Sequence, residues 1–218
     1  MMITSEYLVR LEGIEKLIRW TSGVAAVALL TVVYLGLWRG ARRPKGRGVG
    51  QTTFLRGPFS FYLVASAVFF GLVYLLWRPL RLPLSTRARA AALISGSLLF
   101  FPGLALMLWG RLALGNMYGV STSLGAQLYA DHKLITSGPY ALVRHPMYLG
   151  AQLAGLGSLL IYRTWASLFV ALTFLALVLR ARREEQALAA EFGEQWLEYR
   201  RCVPAWIPRF RKRHSPAG

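Results

Sequence analysis

The amino-acid sequence predicts an all-α integral membrane protein with five transmembrane helices, the last two in a tight hairpin, and a C-terminal amphipathic cytoplasmic helix. Composition is the first indication. Of the 218 residues, 55% are hydrophobic and only 16% are charged, whereas soluble domains carry about 25% charged residues. The second indication is that the hydrophobic residues form uncharged runs long enough to cross a bilayer.

Three uncharged runs predict the first three spans, at residues 20–38, 58–77 and 90–110. At a rise of about 1.5 Å per residue, each run crosses a hydrocarbon layer about 30 Å thick. Residues 1–19 mix three acidic with three basic residues, which predicts a short amphipathic helix at the membrane interface. The Gly- and Arg-rich loop 39–57 is predicted to be a flexible cytoplasmic connector.

Two shorter runs, 146–162 and 164–179, are separated only by Arg163. A single helix through both runs would leave this arginine in the middle of the membrane, which is energetically costly. A tight hairpin places it at the surface and is the favoured interpretation. The chain is thus predicted to be one membrane domain, with a three-span scaffold over 1–110 and a catalytic region over 111–218.

The net charge of +17 is unevenly distributed around these spans. With five spans, 18 of the 26 Lys and Arg residues fall on the side that holds 39–57, 111–145 and 180–218. The positive-inside rule then places the C-terminus in the cytoplasm and the N-terminus outside, in a bacterial cytoplasmic membrane or, in a eukaryote, the endoplasmic reticulum. The basic residues flank spans, so nucleic acid is not an expected partner, whereas the tail 209–213 suits anionic lipid head groups.

The segment that enters the fourth span carries the first functional indication. Arg144 and His145 stand directly before Pro146, which suits the first turn of a helix. A helix N-terminus already favours anions, and this cationic pair strengthens that preference. The alternative is that Arg144 only extends its charged end to the membrane surface.

The C-terminal segment 182–199 places a carboxylate on an apolar face. At about 100° per residue, Glu185 lies in the middle of an apolar stripe and Glu184 at its edge; the stripe consists of Leu188, Phe192, Trp196 and Tyr199. A buried carboxylate requires a cation or hydrogen bonds, and in a membrane protein it is usually functional. The alternative is an ion pair with Arg144 that only fastens the tail to the hairpin.

An anion-binding helix start, a buried carboxylate and several aromatic rings suit a zwitterionic, aromatic cofactor. S-adenosylmethionine has this chemistry: a carboxylate, an ammonium group, ribose hydroxyls and an adenine ring. No metal is expected, because Cys202 is the only cysteine.

The same residues resemble the isoprenylcysteine carboxyl methyltransferase family and the wider group of small membrane methyltransferases that includes phospholipid N-methyltransferases. The resemblance covers about residues 111–210 in two motifs. The first consists of Gly138, Pro139, Tyr140, Arg144, His145, Pro146, Tyr148 and Gly150, preceded by His132 and Leu134. The second consists of Glu184, Glu185, Leu188, Phe192, Gly193, Tyr199, Val203, Pro204 and Pro208.

The resemblance implies methyl transfer from S-adenosylmethionine to a lipophilic or membrane-associated acceptor, with Arg144, Glu185 and His145 as catalytic residues. The cofactor-binding residues that it implies are His132, Leu134, Gly138, Pro139, Tyr140, Arg144, His145, Pro146, Tyr148, Glu184, Glu185 and Tyr199. The protein mainly positions and desolvates the reactants. An amine or thiol acceptor must also lose a proton, for which His132 and His145 are candidates.

Other interpretations remain open at this point. A nicotinamide-dependent membrane reductase of the sterol-reductase type would place the cofactor's 2′-phosphate near Arg182 and Arg183. A non-enzymatic membrane protein is the second alternative. The methyl acceptor is also open and includes a prenylated cysteine carboxylate, a phospholipid amine, a small thiol and another lipophilic acid.

Overall fold

The structure, a computed structural model, describes residues 2–41, 59–118 and 133–208. These residues are helical for most of their length, which confirms the predicted all-α fold. The helices are α1 (Met2–Ala41), α2 (Phe59–Leu75), α3 (Thr86–Leu114), α4 (Pro146–Tyr162), α5 (Trp165–Leu175) and α6 (Leu177–Cys202). Short 3₁₀ turns occupy Gly115–Met117 and Gly138–Ala141. Most of the connector 39–57, His132 and the basic tail 209–213 lie outside the described residues.

Helices α3 and α4 form the most extensive contact between described elements, and glycines bring their backbones together. A Cβ atom on Gly150 would lie 2.5 Å from the carbonyl oxygen of Gly103. Small residues permit this close approach in membrane helix pairs, where van der Waals packing drives association. The contact fixes the position of α4, whose first turn carries the candidate site.

Arg163 separates α4 from α5, as predicted. It adopts the left-handed conformation, with φ 51° and ψ 49°, and the next residue, Thr164, caps α5 by accepting a hydrogen bond from the Ser167 amide at 3.1 Å. The two helices pack against each other. The guanidinium of Arg163 lies outside both helices, where it pairs with the carboxylate of Glu15.

The prediction of a separate interfacial helix over residues 1–19 is wrong. Helix α1 runs without interruption from Met2 to Ala41, and its residue Glu15 is buried. The carboxylate of Glu15 pairs with Arg19 at 2.6 Å, with Arg89 of α3 at 2.8 Å and with Arg163. These ion pairs hold Glu15 against α3 and the hairpin, so this segment continues into the first span as part of the packed helix bundle.

Three described helical segments are long and apolar enough to cross a membrane: Leu8–Arg39, Thr86–Leu114 and Trp165–Cys202. A shorter apolar helix covers Leu63–Leu75. Many of their large hydrophobic side chains are exposed, among them Val27, Leu98 and Leu172, as expected for surfaces that face lipid. The chain is therefore an all-helical integral membrane protein.

Helix α6 is interrupted within 182–199, although the periodicity of this segment predicts one regular helix. Gly193 has φ 49° and ψ −122°, which interrupts the helix. A residue with a side chain rarely adopts this conformation, so glycine permits the break. The direction of the chain changes here, and the last two turns still bury Trp196 and Tyr199. The break lets residues after 193 return to the start of α4.

Candidate active site

The structure brings Arg144 and Glu185 together at the start of α4. The guanidinium Nε and Nη2 of Arg144 lie 3.0 and 2.9 Å from Oε1 of Glu185. Both side chains are largely buried, with 10% and 18% of their surfaces exposed. A buried pair of this kind requires both charges, since either one alone would lack compensation.

Arg144 also binds the end of α6. Its Nη1 donates hydrogen bonds to the carbonyl oxygens of Arg200 at 3.0 Å and Val203 at 2.9 Å. Its guanidinium lies 5.9 Å from the centre of the Trp196 ring. Most of its donors are thus committed to protein groups, so an anionic ligand beside Glu185 requires a further cation.

The backbone at the start of α4 fastens the segment after α6. The amide of Arg144 donates to the carbonyl oxygen of Pro204 at 2.9 Å, and the amide of His145 donates to that of Ala205 at 3.2 Å. A helix start leaves such amides without partners inside the helix, and here the returning chain accepts their hydrogen bonds. The segment around Ala205 is therefore held over the site.

His145 is buried beside two aromatic rings. Its ring stacks on Tyr148, with centroids 5.7 Å apart, and lies 5.3 Å from the ring of Trp206, at an angle of 31° to it. Its Nε2 is 2.9 Å from Oε1 of Glu185. An ionised carboxylate only accepts hydrogen bonds, so Nε2 carries the hydrogen of this contact when Glu185 is charged.

Glu184 faces a different set of partners from its neighbour. Its Oε2 accepts a hydrogen bond from the Tyr148 hydroxyl at 2.8 Å. Nε of Arg180 donates to the same hydroxyl, also at 2.8 Å. The three side chains form a continuous hydrogen-bonded chain in which Arg180 and Tyr148 fix one oxygen of the carboxylate.

Tyr140 lies in the 3₁₀ turn that leads to Arg144. The hydroxyl of Tyr199 donates to its carbonyl oxygen at 2.7 Å, which ties this turn to α6. Burial, and then the neighbouring charge of Glu184, raise the pKa of the Tyr140 phenol well above its ordinary value. Tyr140 therefore stays protonated at neutral pH and can only donate or accept as a neutral hydroxyl.

Two cavities share Arg144 and His145 as a common wall. The wider one has a volume of about 500 Å³ and is also lined by Arg182, Glu185, Gln186, Arg200 and Trp206. The narrower one has a volume of about 130 Å³ and is also lined by Leu114, Tyr118, Tyr140, Tyr148, Arg180 and Glu184. Adjacent residues of a helix point about 100° apart. Glu184 therefore lines the narrower cavity, and Glu185 lines the wider one.

The predicted site residues are only partly gathered around these cavities. Those that line one or both are Tyr140, Arg144, His145, Pro146, Tyr148, Glu184 and Glu185. Tyr199 contributes through its bond to the turn. In the described part of the chain, Leu134, Gly138 and Pro139 line neither cavity; Gly138 and Pro139 belong to the turn before Arg144, and Leu134 lies before that turn.

Several lining residues were not predicted from the sequence. Arg180 could have been found, since it lies four residues before Glu184 and this spacing places both side chains on one helix face. Trp206 and Arg200 reach the site only because the chain turns back after Gly193, which the sequence pattern does not reveal. Among the described residues, no group of three or more His, Cys, Asp and Glu side chains is arranged to hold a metal ion.

The fold and the site define an all-helical integral membrane protein with a ligand-sized cavity at the start of one of its helices. Residues 91–195 match the family described as phospholipid methyltransferase. This range contains most of α3, all of α4 and both glutamates. The resemblance to small membrane methyltransferases that the motifs predicted is confirmed.

The chain is also similar to individual methyltransferases. The chain is 38% identical over 80 residues to protein-S-isoprenylcysteine O-methyltransferase of Schizosaccharomyces pombe, covering 36% of this chain and 34% of that protein. It is 29% identical over 167 residues to methanethiol S-methyltransferase of Pseudomonas deceptionensis, covering 69% and 59%. The chain thus spans only about a third to three-fifths of the length of these relatives.

A solved structure also resembles the fold. It is that of the eukaryotic intramembrane Ras methyltransferase isoprenylcysteine carboxyl methyltransferase, with a TM-score of 0.48 and 18% sequence identity. The alignment covers 95% of this chain and 85% of that one.

Proposed function

We propose that this chain is an S-adenosylmethionine-dependent methyltransferase that acts on a lipophilic or membrane-associated acceptor. The observation that carries the proposal is the cluster of Arg144, His145 and Glu185 in the wall between two cavities. The match to the phospholipid methyltransferase family supports it. Two of the similar proteins are methyltransferases named for their acceptors, isoprenylcysteine and methanethiol.

The wider cavity has the groups that this cofactor needs. Its volume of about 500 Å³ falls within the range of roughly 300–1,000 Å³ that is typical of ligand pockets. Arg182 and Arg200 supply cations for the cofactor carboxylate, and Trp206 supplies a flat face for adenine. Within the described part of the chain, the hydrogen bonds of Glu185 end on Oε1, and we assign Oε2 to the ammonium group or a ribose hydroxyl. When bound there, the cofactor supplies a methyl group on a sulfonium.

The residues of the chain position and desolvate the reactants. Arg144 holds Glu185 in place and fastens residues 200–205 over the wider cavity. His145 lies in the wall, fixed by two rings and by Glu185. Ligands in the two cavities would both contact Arg144 and His145. The catalytic roles of Arg144, His145 and Glu185 are part of this proposal.

The membrane arrangement is also proposed. We place five spans, in α1, α2, α3, α4 and residues 164–179, which hold α5 and the start of α6. The C-terminus and the rest of α6 then lie on the cytoplasmic side, since that side carries 18 of the 26 basic residues. Residues 1–110 serve as the scaffold and residues 111–218 as the catalytic region. The cofactor enters from the cytoplasm and the acceptor laterally from the membrane.

Titration of the purified protein with S-adenosylhomocysteine and with the reduced nicotinamide cofactor tests the proposal. Binding of the former alone is expected, and Glu185→Ala should weaken it by at least tenfold. Glu191→Gln, an exposed glutamate on the same helix, is the matched control and should bind as the unmodified protein does. Binding of the nicotinamide cofactor alone would instead favour a reductase, and unchanged affinity in Glu185→Ala would contradict the site.

A further inference from the structure

We propose that Arg19, Arg89 and Arg163, which converge on the buried carboxylate of Glu15, bind the phosphate group of an anionic phospholipid. These four residues form the arginine cluster, which lies at the end of α4 opposite the candidate active site. The lipid bound there is a structural partner of the protein and not its methyl acceptor. The inference therefore goes beyond the proposed methyltransferase function and does not depend on it.

The arginine cluster carries more positive than negative charge. Arg19 and Arg163 pair with Oε1 of Glu15, and Arg89 pairs with Oε2 at 2.8 Å. Among the described residues, no other carboxylate pairs with these three arginines. Three guanidinium groups thus share one carboxylate, and the excess positive charges repel one another at close range. A bound anion removes this repulsion.

The two helix ends in the cluster do not cancel the excess charge. Arg19 and Arg163 donate to carbonyl oxygens in the last turn of α4, where the helix dipole contributes about half a negative charge. Arg89 lies in the first turn of α3, where the dipole contributes about half a positive charge. Because these contributions are opposite in sign and similar in size, the excess set by the side chains remains.

Two of the arginines retain donors for a phosphate. Nη1 of Arg19, and Nε and Nη1 of Arg89, donate to no group within the described part of the chain. These two side chains are 38% and 33% exposed, whereas that of Glu15 is only 6% exposed. An incoming anion therefore meets guanidinium groups before it meets the carboxylate. The planar guanidinium presents paired donors that match the oxygens of a phosphate.

The cluster lies at the level of one membrane surface. Each of its arginines stands directly beside one of the uncharged runs that are predicted to cross the membrane, at 20–38, 90–110 and 146–162. Trp77 packs against Tyr162 at the same end of α4. Three tryptophans near these ends of the spans are more than half exposed, namely Trp20, Trp77 and Trp165. Exposed tryptophan is typical of the layer that holds lipid head groups.

The surface next to the cluster suits the acyl chains of a lipid. Helices α1 and α3 both run from the cluster into the membrane, and exposed apolar side chains follow on both, namely Val24, Val27, Ile94 and Leu98. A free phosphate ion would use the arginines alone, whereas a phospholipid also covers these side chains. A zwitterionic head group would bring its own cation toward the excess positive charge, so the cluster favours an anionic head group.

Titration with two lipids that differ in head-group charge tests the proposal. Protein in uncharged detergent receives dioleoylphosphatidylglycerol or dioleoylphosphatidylcholine, and native mass spectrometry measures the affinity of the first bound lipid. The anionic lipid should bind at least about tenfold more tightly, and Arg89→Gln should remove most of this advantage, because a charge-assisted hydrogen bond is lost. Arg87→Gln removes the same charge from an exposed position of α3. Its affinity should stay within about twofold, since exposed charges are screened.

A second pair of variants keeps the charge of the cluster. Arg89→Lys leaves the charge balance around Glu15 intact but offers one ammonium group in place of a planar pair of donors. Its affinity for phosphatidylglycerol should fall, though less than in Arg89→Gln, while Arg87→Lys should bind as the unmodified protein does.

Three results would overturn the inference. Equal affinities for the two lipids would show that head-group charge does not select the ligand. Equal losses in the matched variants at positions 87 and 89 would show diffuse attraction to a basic surface. Binding of glycerol phosphate as tight as that of phosphatidylglycerol would show a site for a free anion instead of a lipid.

Discussion

The Arg144 guanidinium and the Glu185 carboxylate are 2.9 Å apart although 41 positions separate them in the chain. The pair joins the start of α4 to α6, and Arg144 simultaneously binds the carbonyl oxygens of Arg200 and Val203. One arginine thus connects the hairpin, the carboxylate of the wider cavity and the segment that covers it. A change at either residue should alter both the stability of this junction and the cavity.

Breaking the pair should destabilise the protein. In Arg144→Met, the Glu185 carboxylate loses its main cation while it remains mostly buried, which typically costs on the order of 3 kcal/mol. The double variant Arg144→Met with Glu185→Met should recover much of this loss, since no uncompensated charge remains. Denaturant unfolding in detergent measures both. If the double variant were less stable than Arg144→Met alone, the ion pair would not explain the loss.

The two members of this pair illustrate what the sequence revealed. Helical periodicity placed Glu185 on the apolar face of its segment, and the position of Pro146 indicated that Arg144 stands at a helix start. The charge of Arg163 within an apolar stretch indicated the break between α4 and α5, which the structure contains. These features depend on local spacing and on the cost of charge in a membrane.

Features set by distant contacts were not predictable in the same way. Residues 1–19 were predicted to form an amphipathic helix at the membrane interface, but Glu15 of this segment is buried and pairs with Arg89 and Arg163, which lie far along the chain. The break at Gly193 changed the direction of α6, so the regular helix assumed from the sequence did not place Trp206 near His145. The two cavities follow from these long-range arrangements.

Trp206 should contribute to cofactor affinity. Its ring packs 5.3 Å from His145 and lines the wider cavity, and an aromatic contact is worth about 0.5–1.5 kcal/mol beyond its buried area. Trp206→Ala should therefore weaken S-adenosylhomocysteine binding by roughly tenfold, measured by calorimetry. Ile207→Ala is the control, because this neighbour is 78% exposed. Equal losses in both variants would indicate a general disturbance of the tail.

Replacing Gly193 with alanine should lower the stability of the protein because of the backbone conformation at this residue alone. A Cβ atom there meets nothing within 4 Å, but φ is 49° and ψ is −122°. Gly193→Ala should therefore cost about 1–3 kcal/mol of strain or displace the segment that carries Trp206. Gly13→Ala provides the control, since a Cβ atom at this helical position also meets nothing, and alanine should stabilise it by about 0.5–1 kcal/mol. Unfolding free energies that changed in the same direction in both variants would contradict this reason.

The cluster around Glu15 should affect stability without affecting the candidate site. Glu15→Gln removes the charge that compensates Arg89 and Arg163 in a largely buried position, so a loss on the order of 3 kcal/mol is expected. Arg163 follows the last residue of α4, about 25 Å from its first turn at a rise of about 1.5 Å per residue. Because of this distance, affinity for S-adenosylhomocysteine should stay within about twofold, well below the tenfold effect of a 1.4 kcal/mol change. Glu12→Gln, an exposed change in the same helix, should alter neither quantity. A large loss of affinity in Glu15→Gln at a temperature where the protein remains folded would show that the two ends of α4 are coupled.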